Sequence, residues 1–284
     1  MEDNSLVDND YAGLRGAETG VAIATFAARR AAAYRAYWEH MPLGLHARPR
    51  GGALPLYGRT DFGDLLRIHR LDTRQYRSDQ PCATANQLGG RVAADCPERR
   101  DPARTLLGAN QEAWLQQGLT TGRARWNLIA QPMLMAPLEQ RPGPGQAWWT
   151  DGWDGYPAAR ERLLGVIDAH RVANPVVLGG DIHSFWATDL AAPGDPTRIV
   201  ATEFVGTSIS SPGIPHDAVQ SFLPDNPHIR FAEARYRGYV VCELTPQALH
   251  TRFRALADVT DPATTVSTLA AFTVQNGRPG AMRA

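Results

Sequence analysis

Cysteine is scarce in this 284-residue chain, with three in all, and that excludes a small scaffold held together by many disulfides. Excess charge is absent as well. Twenty-nine basic side chains balance 29 acidic ones and no Lys/Arg run stands out, so nothing electrostatic points to a nucleic acid or a membrane surface. No stretch approaches the roughly 18 consecutive apolar residues that a membrane helix needs, and the opening MEDNSLVDND lacks the basic-then-apolar order of an export signal. As written, the sequence reads as cytoplasmic, with a small molecule as its partner and no oligomeric state specified. Walker and Rossmann glycine patterns are missing too. Ser208, in GTSISSPG with Ser210 and Ser211, is flanked by Thr207 and Ile209, so there is no Gly-x-Ser-x-Gly elbow and a serine hydrolase is the weaker reading.

What is present is a 43% hydrophobic chain, enough to bury a core as one sizeable domain or two small ones. Alanine-rich residues 17 to 39, with Thr19 as a cap and Met41-Pro42 as a stop, predict a helix. Leu65 to Asp72 predicts a strand that carries Asp72 to its end, and Thr73 to Pro102 a long loop of the kind that usually serves a function. Asn110 caps a second predicted helix, WNLIAQ is a buried strand, and RPGPGQ is a break. Ala158 to Val172 forms a helix leading into the short strand of PVVLGGD. ATEFVGTS, RGYVVCEL, HTRFRAL and AAFTVQNG are four strand-like runs in the last third. This order predicts an α/β layered fold whose second sheet is largely antiparallel. Cys82 and Cys96 bracket a loop and either stay reduced or close a bridge, which would require an oxidising compartment; Cys242, in an apolar run, reads as a buried thiol.

Several groups could carry chemistry. In GGDIHSFW, Asp181 and His183 stand two residues apart after a strand, and in an extended chain both would point to one side, as two ligands of one metal do. The alternative is a turn in which Asp181 caps backbone amides and His183 packs on Trp186. Asn4, Asp8, Asn9 and Asp10 offer oxygen ligands to a hard cation, or form a frayed acidic end. Arg74 and Arg77, near Asp72 and Tyr76, fit a phosphate clamp or a structural ion pair. Trp153, Asp154 and Tyr156 fit a substrate rim or a packed turn.

Eight blocks in order, VDNDYAG, LDTRQYRSDQPC, LGANQEAWL, IAQPMLMA, DGWDGYPAAR, VVLGGDIHSFW, EFVGTSISSPG and NPHIRFAEARYRGYVVCEL, resemble those of the alkaline phosphatase D (PhoD-like) family of metallophosphoesterases. The resemblance implies an αββα two-sheet sandwich of the metallophosphoesterase type, with iron and calcium as cofactors and phosphate mono- or diesters as substrates. It also implies export to the periplasm or beyond. Asp181 would bind calcium, His183 iron and Asn9 calcium. Asp181, His183 and Arg74 would act on the phosphoryl group.

Glu2, Asp3, Asn4, Ser5 and Leu6 stand where the family pattern has Trp-Asp-Asp-His-Glu, and the cysteine and Asp-x-x-Tyr expected earlier have no counterpart. The expectation is therefore one PhoD-like domain over residues 1 to 284 that is incomplete at its N-terminus. Loss of opening strands would expose a sheet edge and apolar surface. Such a member either keeps metal-dependent hydrolysis or is a silent remnant that binds.

Overall fold

The computed structural model describes residues 23–50, 52–83 and 90–284, so Thr19 and the N-terminal oxygen cluster with Asn9 lie outside the described residues. In chain order the elements are α1 (Ile23–His40), β1 (Gly58–Phe62), β2 (Leu66–Arg70), β3 (Val92–Ala93), α2 (Ala109–Thr121) and β4 (Trp126–Ala130). Then come β5 (Trp148–Trp149), α3 (Pro157–Ala169), β6 (Pro175–Gly179), β7 (Phe185–Ala192), β8 (Asp195–Val205), α4 (His216–Phe222) and β9 (Ile229–Glu233). The chain closes with β10 (Gly238–Leu244), β11 (Ala248–Leu256), β12 (Val266–Gln275) and β13 (Arg278–Arg283).

Seven strands form one sheet in the order β1-β2-β4-β6-β8-β7-β9. Its centre, β2-β4-β6-β8, is parallel, and antiparallel pairs close both sides. Parallel strands need cover on both faces, which is why WNLIA and PVVLG read as nearly continuous apolar runs. On one face α2 and α3 bring Leu115, Leu119, Leu163 and Ile167 against Ile129, Val177 and Leu190. On the other, the antiparallel sheet β10-β11-β12-β13 packs Leu249, Phe253 and Phe272 onto Val176, Phe185 and Phe204. The Phe253 ring meets Phe185 edge-on at 5.4 Å and Phe204 at 6.1 Å, geometry that adds to the burial of apolar area. Three layers, α, β and β, are thus seen among the described residues.

Some expectations need correction. Helix α2 begins at Ala109 with Gly108 at φ 72° as its cap residue, so Asn110 sits inside the first turn. Thr105 Oγ1 accepts from the Leu107 and Gly108 N–H groups in the turn that leads into the helix. Cys242 is exposed, because β10 is an edge strand with no neighbour on its outer side among the described residues. Cys82 and Cys96 are bridged, with Cα atoms 5.8 Å apart, and so fasten the long loop that the sequence marks between Thr73 and Pro102.

His69, fully buried on β2, faces the Trp114 ring of α2 at 6.1 Å, and its Nε2 lies 3.4 Å from Asn127 Oδ1. Burial lowers its pKa from 6.5 to about 4, so between those values the unfolded chain holds a proton that the folded one does not. That stabilisation is complete above pH 6.5 and is lost as pH falls toward 4, at up to ~1.4 kcal/mol per unit. Urea unfolding of wild type and His69→Asn across this range is expected to show a flatter pH dependence in the variant. Parallel curves would mean that His69 is not the titrating group.

Candidate functional site

The C-terminal ends of the parallel strands are where open α/β sheets place their ligands. At the end of β6 only glycine fits at position 179, since a Cβ there would come within 2.3 Å of the Met133 carbonyl oxygen. The chain then turns. The Ile182 N–H donates to Gly180 O at 2.9 Å, closing a three-residue turn with Asp181 at φ 72°, and His183 follows at φ 55°. Both residues are therefore left-handed, and the extended geometry argued from their spacing is not what brings them together. Non-glycine residues in this region cost about 1 kcal/mol or more each and are held there by surrounding contacts.

Those contacts are specific. His183 Nδ1 lies 2.7 Å from Pro212 O. A carbonyl only accepts, so Nδ1 carries a proton, and in the neutral ring Nε2 is then the nitrogen with the lone pair, the tautomer that a metal ligand or general base requires. The His183 carbonyl accepts from the Arg237 guanidinium at 2.6 Å. The same NH1 group donates to Ser208 Oγ and Ser211 O, each at 3.0 Å, while NH2 donates to Ala234 O. Gly213 completes the clamp, since a Cβ there would meet His183 O at 2.5 Å. Ser208 donates its own hydroxyl to Ser211 O at 2.5 Å, so these contacts place it in the scaffold.

Asp181 and His183 open onto a cavity of about 450 Å³. Its other walls are Met133, Leu134 and Leu138 after β4, Val92 of β3, Trp149 of β5, the turn at Gly152 and Trp153, and Ile214. The two short strands pair Val92 with Trp149, and the Arg99 guanidinium lies 4.6 Å over the Trp148 ring while donating to Asp154 O at 2.7 Å. The bridged loop is thereby built into the cavity wall. Beneath the wall, Glu203 of β8 is fully buried and accepts from the Met135 N–H at 2.6 Å and the Ala136 N–H at 2.8 Å. Burial raises its pKa to about 7 against those two bonds and the Thr188 hydroxyl.

The remaining candidates are placed as follows. Asp72 stands at the end of β2 as expected, where Oδ1 accepts from the Arg74 and Gln75 N–H groups at 3.0 Å each. Arg74 and Arg77 each reach the Asp151 carboxylate at 2.8 Å, which is the ion-pair arrangement, and neither lines the cavity. Burial would raise the Asp151 carboxyl, but Arg77 and Arg74 together hold it below the usual range. Trp153 and Asp154 do line the cavity; Asp154 is engaged by Arg160 at 2.7 Å and by the Leu138 N–H at 2.9 Å. Tyr156 is buried and donates to Ser78 O at 2.8 Å, a core role. Arg237 is the residue that the sequence reading missed. It lies within the block RYRGYVV, and nothing local distinguishes it from the arginines around it.

Among the described residues no group of three or more His, Cys, Asp and Glu side chains converges. Asp181 and His183 thus supply two donors of the right chemistry, a carboxylate and an imidazole of fixed tautomer, whereas catalytic metal sites generally use three protein ligands.

The family model "PhoD-like phosphatase" matches residues 3–253. Alkaline phosphatase D of Bacillus subtilis (strain 168) is 41% identical over 283 residues, which are 98% of this chain and 47% of that protein. A solved structure of PhoD superposes with a TM-score of 0.85 at 39% identity, covering 98% of this chain and 53% of the other. The chain spans about half the length of the curated relative it matches. On the extent of the family match and the identity to that relative, the chain belongs to the PhoD-like phosphatase family.

Proposed function

We propose that this chain hydrolyses phosphomonoesters or phosphodiesters at the cavity mouth beside Asp181 and His183. The observation that carries the reading is the His183 ring, whose Nδ1–H is given to Pro212 O so that Nε2 is left for a ligand, on the same cavity wall as the Asp181 carboxylate. Family membership supplies the reaction class.

Asp181 and His183, with Asn9, would hold calcium and iron in part. When bound, such ions supply Lewis-acid charge and a water of lowered pKa. The protein's own part is positioning. Arg237 and Pro212 fix the imidazole, the Gly179–Gly180 turn fixes the carboxylate, and the Arg74–Asp151–Arg77 cluster holds the segment beside the cavity. In the same proposal the three observed layers are part of an αββα metallophosphoesterase sandwich, with residues 1 to 284 belonging to one domain. The Cys82–Cys96 bridge supports an exported, oxidising location. No helix among the described residues is long and apolar enough to cross a membrane.

A second reading rests on the two-donor count: a chain that holds no metal by itself and turns nothing over. Metal analysis and turnover of a chromogenic phosphodiester separate the two. Under the hydrolase reading, Asp181→Ala and His183→Ala are each expected to lower turnover at least ~100-fold, the scale of losing one transition-state contact. Unchanged turnover in either variant would remove the site assignment. Turnover is also expected to vanish with a chelator and to persist in Ser208→Ala. The reverse pattern would make Ser208 the nucleophile.

A further inference from the structure

The cavity is much larger than a phosphoryl group needs and falls within the roughly 300–1,000 Å³ of sites that take small organic ligands, at about 450 Å³. Asp181 and His183 adjoin in its lining, Gln140 adds one amide, and Leu134, Leu138, Trp149, Trp153 and Ile214 form much of the rest. The carboxylate elsewhere in the wall, Asp154, is engaged by the Arg160 guanidinium and the Leu138 N–H. Trp149 is 38% exposed at the lip and Trp153 is 1% exposed at the floor, so an inserted group would meet an aromatic ring at both depths.

We infer that this cavity binds the organic half of the substrate and selects esters whose alcohol carries an aryl or branched aliphatic group over those of polyols and sugars. The inference rests on the phosphoester reading of the same site. An aryl group placed there loses water against apolar side chains and gains stacking contact with Trp149. The Gln140 amide can pair with part of a glyceryl or sugar group, but hydroxyls set against Leu134, Leu138, Trp153 and Ile214 are left without partners, and each of those opposes binding. Discrimination by unpaired polar groups is stronger than discrimination by size alone.

The test is equilibrium binding, by calorimetry, of phenylphosphonate and methylphosphonate to the purified chain. Both carry a phosphonate that cannot be hydrolysed and they differ in the aryl group. Phenylphosphonate is expected to bind at least about tenfold more tightly, a scale that about five extra heavy atoms readily supply. In Trp149→Ala, whose side chain is at the lip, the difference is expected to shrink to about threefold or less; Ile214→Ser serves the same purpose if the tryptophan variant does not fold. Equal affinity for the two phosphonates, binding of neither, or a difference that survives both substitutions would overturn the inference. Hydrolysis of phenyl and glyceryl phosphates is measured alongside. Equal kcat/KM on both esters would also overturn the inference while leaving the hydrolase reading standing. Selective phenylphosphonate binding without hydrolysis of either ester would uphold the apolar site and count against the hydrolase reading alone.

Discussion

One buried guanidinium holds the candidate site in shape. Arg237, on the approach to β10, donates to the backbone of His183, Ser211 and Ala234 and to the Ser208 hydroxyl. A planar fork with five N–H donors suits this task as a lysine would not, because it ties the loop after β6, the loop after β8 and the turn after β9 with one rigid group. Burial lowers the Arg237 pKa, so the charge that makes these bonds strong is kept there at an energetic cost. The two left-handed residues, Asp181 and His183, persist because this clamp and the Pro212 carbonyl leave them no relaxed alternative.

The cavity wall depends on a second set of buried polar contacts. Glu203 grips the Met135 and Ala136 amides from below, Asp154 grips the Leu138 amide from the side, and Arg99 ties Trp148 to the Asp154 backbone. The Cys82–Cys96 bridge limits how far the segment carrying Val92 can move away from Trp149. A chain that buries carboxylates and guanidiniums at this density gives up stability that apolar residues could supply, in exchange for loops with one arrangement. That exchange is expected where side chains must present a defined face to a ligand.

The elements with a strong local pattern were legible in the sequence. The alanine run of α1, the β-branched run of β6 and the alternation of β11 each have a period that leaves few options, and the antiparallel second sheet followed from four strand-like runs in a row. Asp181 and His183 were legible as a pair by family resemblance. Their convergence comes from the turn after β6, where both residues are left-handed, and not from the extended geometry that their spacing implies. Asn110 lies inside the first turn because the helix starts at Ala109 behind Gly108, a cap residue that local composition does not single out. Cys242 looked buried because its neighbours are apolar; whether a strand is central or at an edge is decided by partners far away in sequence. Arg237 was not legible for the same reason, as its acceptors lie 26 to 54 residues away or are backbone atoms.

The central claim is that this scaffold fixes His183 with Nδ1 protonated and Nε2 carrying the lone pair. Long-range proton–nitrogen correlation spectra of the chain, with the His183 signals assigned from a His183→Gln variant, report the tautomer directly. The account predicts that the neutral ring is in the Nδ1–H form, with the bare Nε2 responding to added iron. An Nε2–H ring, or one exchanging freely between the two forms, would contradict it.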